Sequence, residues 1–97
     1  MNGLVRFTIE AERDLEGIAS YTVEVWGEAR RDAYLDVLEE ACALLSRKFR
    51  RIARELPGRP TMFRFHVERH VIYFREVADG IEIVRILHER MVPSRHL

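Results

Sequence analysis

The period of apolar and polar positions changes twice along this chain. Leu4 to Ile9 alternates: Leu4, Arg6 and Thr8 fall on one side, and Val5, Phe7 and Ile9 on the other. That is the repeat of a short strand. From Ala11 the apolar positions move to helical spacing: Ala11, Leu15, Ile18, Thr22 and Val25, with Ala19 and Trp26 widening the stripe. The spacing predicts a helix over about residues 9–26. Thr8 stands where an N-cap hydroxyl can take an orphan backbone N–H, and Glu10, Glu12 and Asp14 follow where the helix dipole favours acids. Gly27 can take the left-handed conformation that ends the helix, and Glu28 restarts one at once. A connection this short predicts an antiparallel helical hairpin. The second helix has a broad apolar face of Ala29, Ala33, Tyr34, Val37, Leu38, Ala41, Leu44 and Leu45, wide enough to meet both the first helix and a sheet. Helical spacing persists through Arg47–Arg54, where Phe49, Ile52 and Ala53 keep an apolar side.

Glu55 to Thr61, with Pro57, Gly58 and Pro60, reads as a break. Three strands follow, Met62–Val67, Val71–Val77 and Ile81–Leu87. Ala78-Asp79-Gly80 is a hairpin signal, whereas Glu68, Arg69 and His70 must turn the chain without glycine. Strict alternation places Ile81, Ile83, Arg85 and Leu87 on one face of the last strand, and Glu82, Val84, Ile86 and His88 on the other. Both faces are largely apolar, as in a central strand. The order is β-α-α-β-β-β. The expected fold is α+β, one domain over residues 1–97, with an antiparallel helical hairpin packed on a mostly antiparallel four-stranded sheet.

A composition of 47% hydrophobic and 33% charged residues, with three prolines in 97 residues, excludes a disordered chain. Net charge is zero, but it is unevenly distributed. Residues 1–46 hold four arginines and ten acids, giving −6, and residues 47–97 hold twelve cations and six acids, giving +6. The basic half could face an acidic partner or nucleic acid, or the two halves could pair across one surface. Cys42 has no second cysteine, which fits a reducing cytoplasm. The first residues lack the apolar core of a leader, and no run approaches the ~20 residues of a membrane span. Cytoplasmic location without membrane contact is expected. His66 and His70 are four apart without cysteine or carboxylate at ligand spacing, so neither metal nor cofactor is expected.

The opening Phe7-Thr8 with Ala11 and Asp14-Leu15, the pair Trp26-Gly27, the strand His70–Arg75 and the closing run Gly80–Met91, taken in order, resemble the ParE/RelE toxin superfamily, and its ParE branch most closely. Phe7-Thr8, Ala11, Asp14-Leu15, Ile18 and Tyr21 are similar to that family's first strand and helix, and Trp26-Gly27 to the pair between its helices. His70–Arg75 resembles its third strand. Gly80–Met91 resembles its closing strand, through Arg85, Leu87, His88, Arg90 and Met91. Val92 departs from the aspartate that usually follows the methionine. The resemblance implies the toxin of a type II toxin–antitoxin pair, held inactive by a ParD-like antitoxin from a neighbouring gene. It would inhibit DNA gyrase and touch DNA only indirectly, through the toxin–antitoxin complex.

The alternative is a RelE-like ribosome-dependent mRNA endonuclease. RNA cleavage needs a base, an acid and positive charge on the developing pentavalent phosphate. Lys48 is the one lysine, so His88, Arg90, Arg85 and His96 would have to serve. A further alternative is a degenerate toxin that acts only as an antitoxin-binding corepressor. The expected target contacts are Arg85, His88, Arg90, Met91, Arg95 and His96; those for the antitoxin are Leu15, Tyr21, Trp26, Tyr34 and Leu38. Arg85 is expected to reach over the sheet edge or to pair with an acid such as Glu82 or Glu76. Tyr21, Trp26 and Tyr34 lie on the helical stripes, where packing within the hairpin is the plainer role.

Overall fold

The computed structural model describes residues 3–97. Met1 and Asn2, the start of the segment read as lacking a leader, lie outside the described residues. The elements run β1 (Leu4–Phe7), α1 (Ile9–Trp26), α2 (Glu28–Ile52), β2 (Arg54–Leu56), β3 (Arg59–Val67), β4 (His70–Val77), β5 (Gly80–His88) and a closing 3-10 turn (Pro93–Arg95).

Thr8 decides where β1 stops and α1 starts. Its hydroxyl accepts the Ala11 N–H at 3.0 Å, capping the helix, and donates to the Val84 carbonyl at 2.7 Å, pinning the helix start to the sheet. The first strand therefore ends at Phe7, two residues before its alternation stops. Gly27, at φ 91°, closes α1 through its N–H to the Val23 carbonyl and opens α2 through its own carbonyl. Inside α2, Lys48 leaves helical geometry (φ −146°, ψ 31°). The break turns Phe49 inward, where its ring meets Phe63 at 5.0 Å and Phe74 at 5.8 Å.

The sheet has five strands in the order β1-β5-β4-β3-β2, not the four expected. The segment read as a break contains the extra pairing. Leu56 opposes Arg59 across Pro57-Gly58, where proline presets the first corner and Gly58 supplies φ 80° at the second. β3 consequently begins at Arg59 rather than Met62. β1 runs parallel to β5, Val5 opposite Ile81 and Phe7 opposite Ile83; the other pairings are antiparallel. The glycine-free turn after β3 is made by Glu68 in the left-handed region, at φ 55°.

The helical hairpin covers one face of the sheet. Leu38, Leu45, Ile72, Phe74, Ile81 and Ile83 are the centre of that core, each at most 1% exposed. Burial of each of the two leucines contributes about 1.5–3 kcal/mol. On the opposite face Leu56, Met62, Val71, Tyr73 and Leu87 form a smaller core, onto which Val84 and Leu97 pack. Strict alternation fails in β5. Phe74 opposes Ile83 and Tyr73 opposes Arg85, so Val84 is an extra residue, a bulge. The bulge inverts the phase. Ile86 joins Ile81 and Ile83 under the helices, and Leu87 joins Val84 on the other side.

Candidate functional site

The bulge leaves Arg85 and the Ile86 N–H on the stretch of β5 that β1 no longer covers. Asp14, on the first turns of α1, takes both. Its Oδ1 accepts from Arg85 Nη2 at 2.8 Å, and its Oδ2 accepts from Arg85 Nε at 2.8 Å and from the Ile86 N–H at 2.9 Å. Arg85 Nη1 then donates to the His96 carbonyl at 3.0 Å, which holds the closing turn. The side chains of Arg85 and Asp14 are 21% and 14% exposed. The hydrogen bonds from Arg85 to Asp14 push the Arg85 pKa above its ordinary high value. Arg85 is thus a structural fork rather than a presented cation, and its partner is Asp14, not Glu82 or Glu76. Glu82 pairs with Arg75, and Glu76 with Arg50.

Beside this fork lies an open groove of about 970 Å³ between the helical hairpin and the ends of β4 and β5. Its apolar lining is unusually open. Tyr21 and Trp26 are each 64% exposed, Met91 43% and Val37 38%. Arg30 stacks over the Trp26 ring at 5.6 Å and fixes it on the rim. Arg13, Arg30 and Arg69 supply cations at the edge; of the acids that line it, Asp14 is already bound to Arg85, leaving Glu68. Gly17 opens the wall of α1, with nothing within 4 Å of the position a Cβ would take.

Three polar side chains meet at the groove end. The Arg69 N–H donates to the Tyr34 hydroxyl at 3.2 Å, and that hydroxyl shares a hydrogen bond of 2.6 Å with His70 Nδ1. The His70 ring meets His88 edge-on at 5.5 Å. Burial, reinforced by His88, pulls the His70 pKa down to about 4, so the imidazole is neutral at pH 7. Burial likewise raises the Tyr34 pKa. His88 Nδ1 accepts the Arg90 N–H at 3.2 Å.

The expected site residues separate into four groups. Tyr21, Trp26, Tyr34, His88 and Met91 converge on the groove. Arg85 on β5 is hydrogen-bonded to the His96 carbonyl just past the closing turn, while Arg90 and Arg95 are exposed outside the groove. Leu15 is half-buried and packs on the main core, and Leu38 is 1% exposed within it. Leu38 is a correction: its place on the helical stripe points at the sheet, out of reach of a docking partner. His66 lies away from His70 and bonds Glu89 at 2.9 Å. Arg13, Val37, Arg69 and His70 were missed. Arg13, Gly17 and Tyr21 at four-residue spacing carry a detectable signal, but no sequence signal places β4 beside α2.

Comparison with known proteins agrees with this architecture. The family model of the ParE toxin of type II toxin–antitoxin systems matches residues 5–93. Toxin ParE1 of Mycobacterium tuberculosis is 31% identical over 90 residues, 90% of each chain. Toxin ParE of Escherichia coli is 34% identical over 91 residues, 87% of this chain and 82% of that one. Among solved structures, the chromosomal ParDE system of P. aeruginosa superposes with a TM-score of 0.76 at 21% identity, over 87% of this chain and 92% of that one. The RelBE2 toxin–antitoxin complex of Mycobacterium tuberculosis superposes at 0.67 and 23%, over 92% and 100%. At those identities the structures speak for the fold.

Proposed function

The chain belongs to the ParE toxin family of type II toxin–antitoxin systems, and on that premise we propose that it inhibits DNA gyrase and is silenced by a ParD-like antitoxin seated in the groove between the helical hairpin and the sheet. The observation that carries the second half is the exposure of Tyr21, Trp26, Val37 and Met91 around one concavity. A contiguous apolar surface of this kind marks an interaction site. The arginine rim fits an amphipathic segment with acidic residues on its polar edge. Support for the gyrase half comes from the family relationship and from the fate of Arg85. The cation that RNA cleavage would need at the end of β5 is already saturated by Asp14 and the His96 carbonyl.

A supercoiling assay with purified gyrase and relaxed plasmid tests the target. Inhibition that rises with added chain and is reversed by the neighbouring gene's product is expected. Unimpaired supercoiling at excess chain, together with growth arrest in cells, removes the gyrase reading. Intact transcripts in a primer-extension assay on translated mRNA separate it from the nuclease alternative. The docking half is tested by Trp26→Ala and Tyr21→Ala, each expected to weaken antitoxin binding by about 1–3 kcal/mol.

A further inference from the structure

Gly17 costs the free chain stability and gives none back. It lies midway along α1 (Ile9–Trp26), where glycine is less favourable than alanine because it loses more backbone freedom on folding. Two structural needs can justify a glycine inside a helix. One is a backbone conformation closed to other residues, but the glycines with positive φ are Gly27, Gly58 and Gly80. The other is a neighbour that a Cβ would strike, but no atom lies within 4 Å of where the Gly17 Cβ would stand. At Gly80, by contrast, that position falls on the Leu4 backbone.

What the absent side chain leaves open is the groove. Gly17 is exposed and lines it. Arg13 and Tyr21, one turn before and one turn after, line it too, and both are exposed. Residues four apart on a helix stand one above the other, and a helical side chain leans back over the turn that precedes it. Tyr21 is therefore the residue placed to cover Gly17, yet its ring stays clear of the open position. The result is a notch in α1 bracketed by two long side chains. Arg13 and Tyr21 hold a partner's backbone away from the helix, whereas a single side chain can reach between them. The Gly17 N–H and carbonyl are used by the helix itself, so the notch offers contact and no hydrogen bond. With Ile18 and Val37 lining the same groove, it suits an apolar group.

We propose that Gly17 sets the specificity of the groove: the notch receives one large apolar side chain, of leucine or aromatic size, from the docked antitoxin segment. The proposal rests on an antitoxin occupying the groove. The stability lost by placing glycine in α1 is then recovered only in the complex.

Isothermal titration calorimetry of the chain with the purified ParD-like antitoxin of the neighbouring gene tests it. Gly17→Leu fills the notch and weakens affinity about 10–100-fold; Gly17→Ala weakens it about threefold or more. Neither variant lowers the Tm of the free chain, and Gly17→Ala raises it by about 2–8 °C, so lost binding does not come from lost folding. Glu16→Leu, at an exposed position of the same helix outside the groove, keeps affinity within about twofold. An alanine scan of the antitoxin's apolar positions identifies the inserted side chain: its truncation weakens binding to the native chain about tenfold or more and costs much less against Gly17→Leu. A weakening of less than about tenfold by Gly17→Leu, or strict additivity with that variant at every antitoxin position, overturns the proposal. Trp26→Ala and Tyr21→Ala separate the two failures. If they weaken binding and Gly17→Leu does not, the notch is wrong and the groove stands; if none of the three does, the groove is not the antitoxin's seat.

Discussion

Replacing Asp14 by asparagine keeps the shape of the fork and removes its charge. The carboxylate accepts three hydrogen bonds, two from Arg85 and one from the Ile86 N–H. An amide has one oxygen, and its NH2 group would face a guanidinium donor. At least one Arg85 hydrogen bond is lost, and the charge of a side chain only 21% exposed is left uncompensated. Breaking a fully buried pair costs about 3–5 kcal/mol; discounted for the exposure here, about 2–3 kcal/mol is expected. In a domain of this size that lowers Tm by about 10–20 °C. Urea titration followed by circular dichroism measures it, together with Arg85→Ala, Asp14→Ala and the double alanine variant. The cycle should show a coupling of about 1–3 kcal/mol, because once the guanidinium is gone, loss of the carboxylate costs only the Ile86 hydrogen bond, about 1 kcal/mol. Asp14→Asn changing stability by less than about 0.5 kcal/mol, or a strictly additive cycle, would refute the fork as a structural element.

His70 gives a pH prediction with a definite sign. Its folded pKa, about 4, lies below the ordinary value of 6.5. The stability it contributes is therefore complete above about pH 6.5 and is lost as pH falls towards 4, amounting to about 1 kcal/mol at pH 5 after allowance for partial solvent access. His70→Gln should flatten that limb of the stability–pH curve. Gly80→Ala should detach β1 from β5 at a cost of about 3 kcal/mol or more, because its Cβ would run into the Leu4 backbone, with the Leu4 nitrogen 2.5 Å away; loss of cooperativity or a Tm lowered by more than about 10 °C checks it. Gly17→Ala has open space in a helix interior and should stabilise the free chain by about 0.5–1 kcal/mol, measured by thermal melt. Burial pushes the Cys42 thiol up to about 12, so it should resist a thiol reagent in the native protein and react at once in urea.

Local signals account for much of the fold. Thr8 and Gly27 mark the ends of α1 by hydrogen bonds that need only neighbouring atoms, and both positions hold in the structure. The helical stripes of α1 and α2 and the strands after Met62 follow from the spacing of apolar side chains. β2 was hidden for an equally local reason: three residues are too short for a period, and Pro57-Gly58 reads as a break whether or not strands flank it. Within the groove, Tyr21, Trp26 and Tyr34 were legible from their place on helical faces. His70 was not, because its role depends on a hydroxyl 36 positions away.

By itself the sequence determined the helical hairpin, the antiparallel meander, the polarity of charge and the family, since each rests on short-range spacing or on residues in order. The tertiary structure decided what those residues face. A bulge at Val84 turned Arg85 from a presented cation into the partner of Asp14, 71 positions away. Register across β2 and β3 set Arg54 directly against Arg64. Which charges neutralise one another depends on distance in space. In a sheet, one inserted residue exchanges the faces of all that follow, and no local pattern records it.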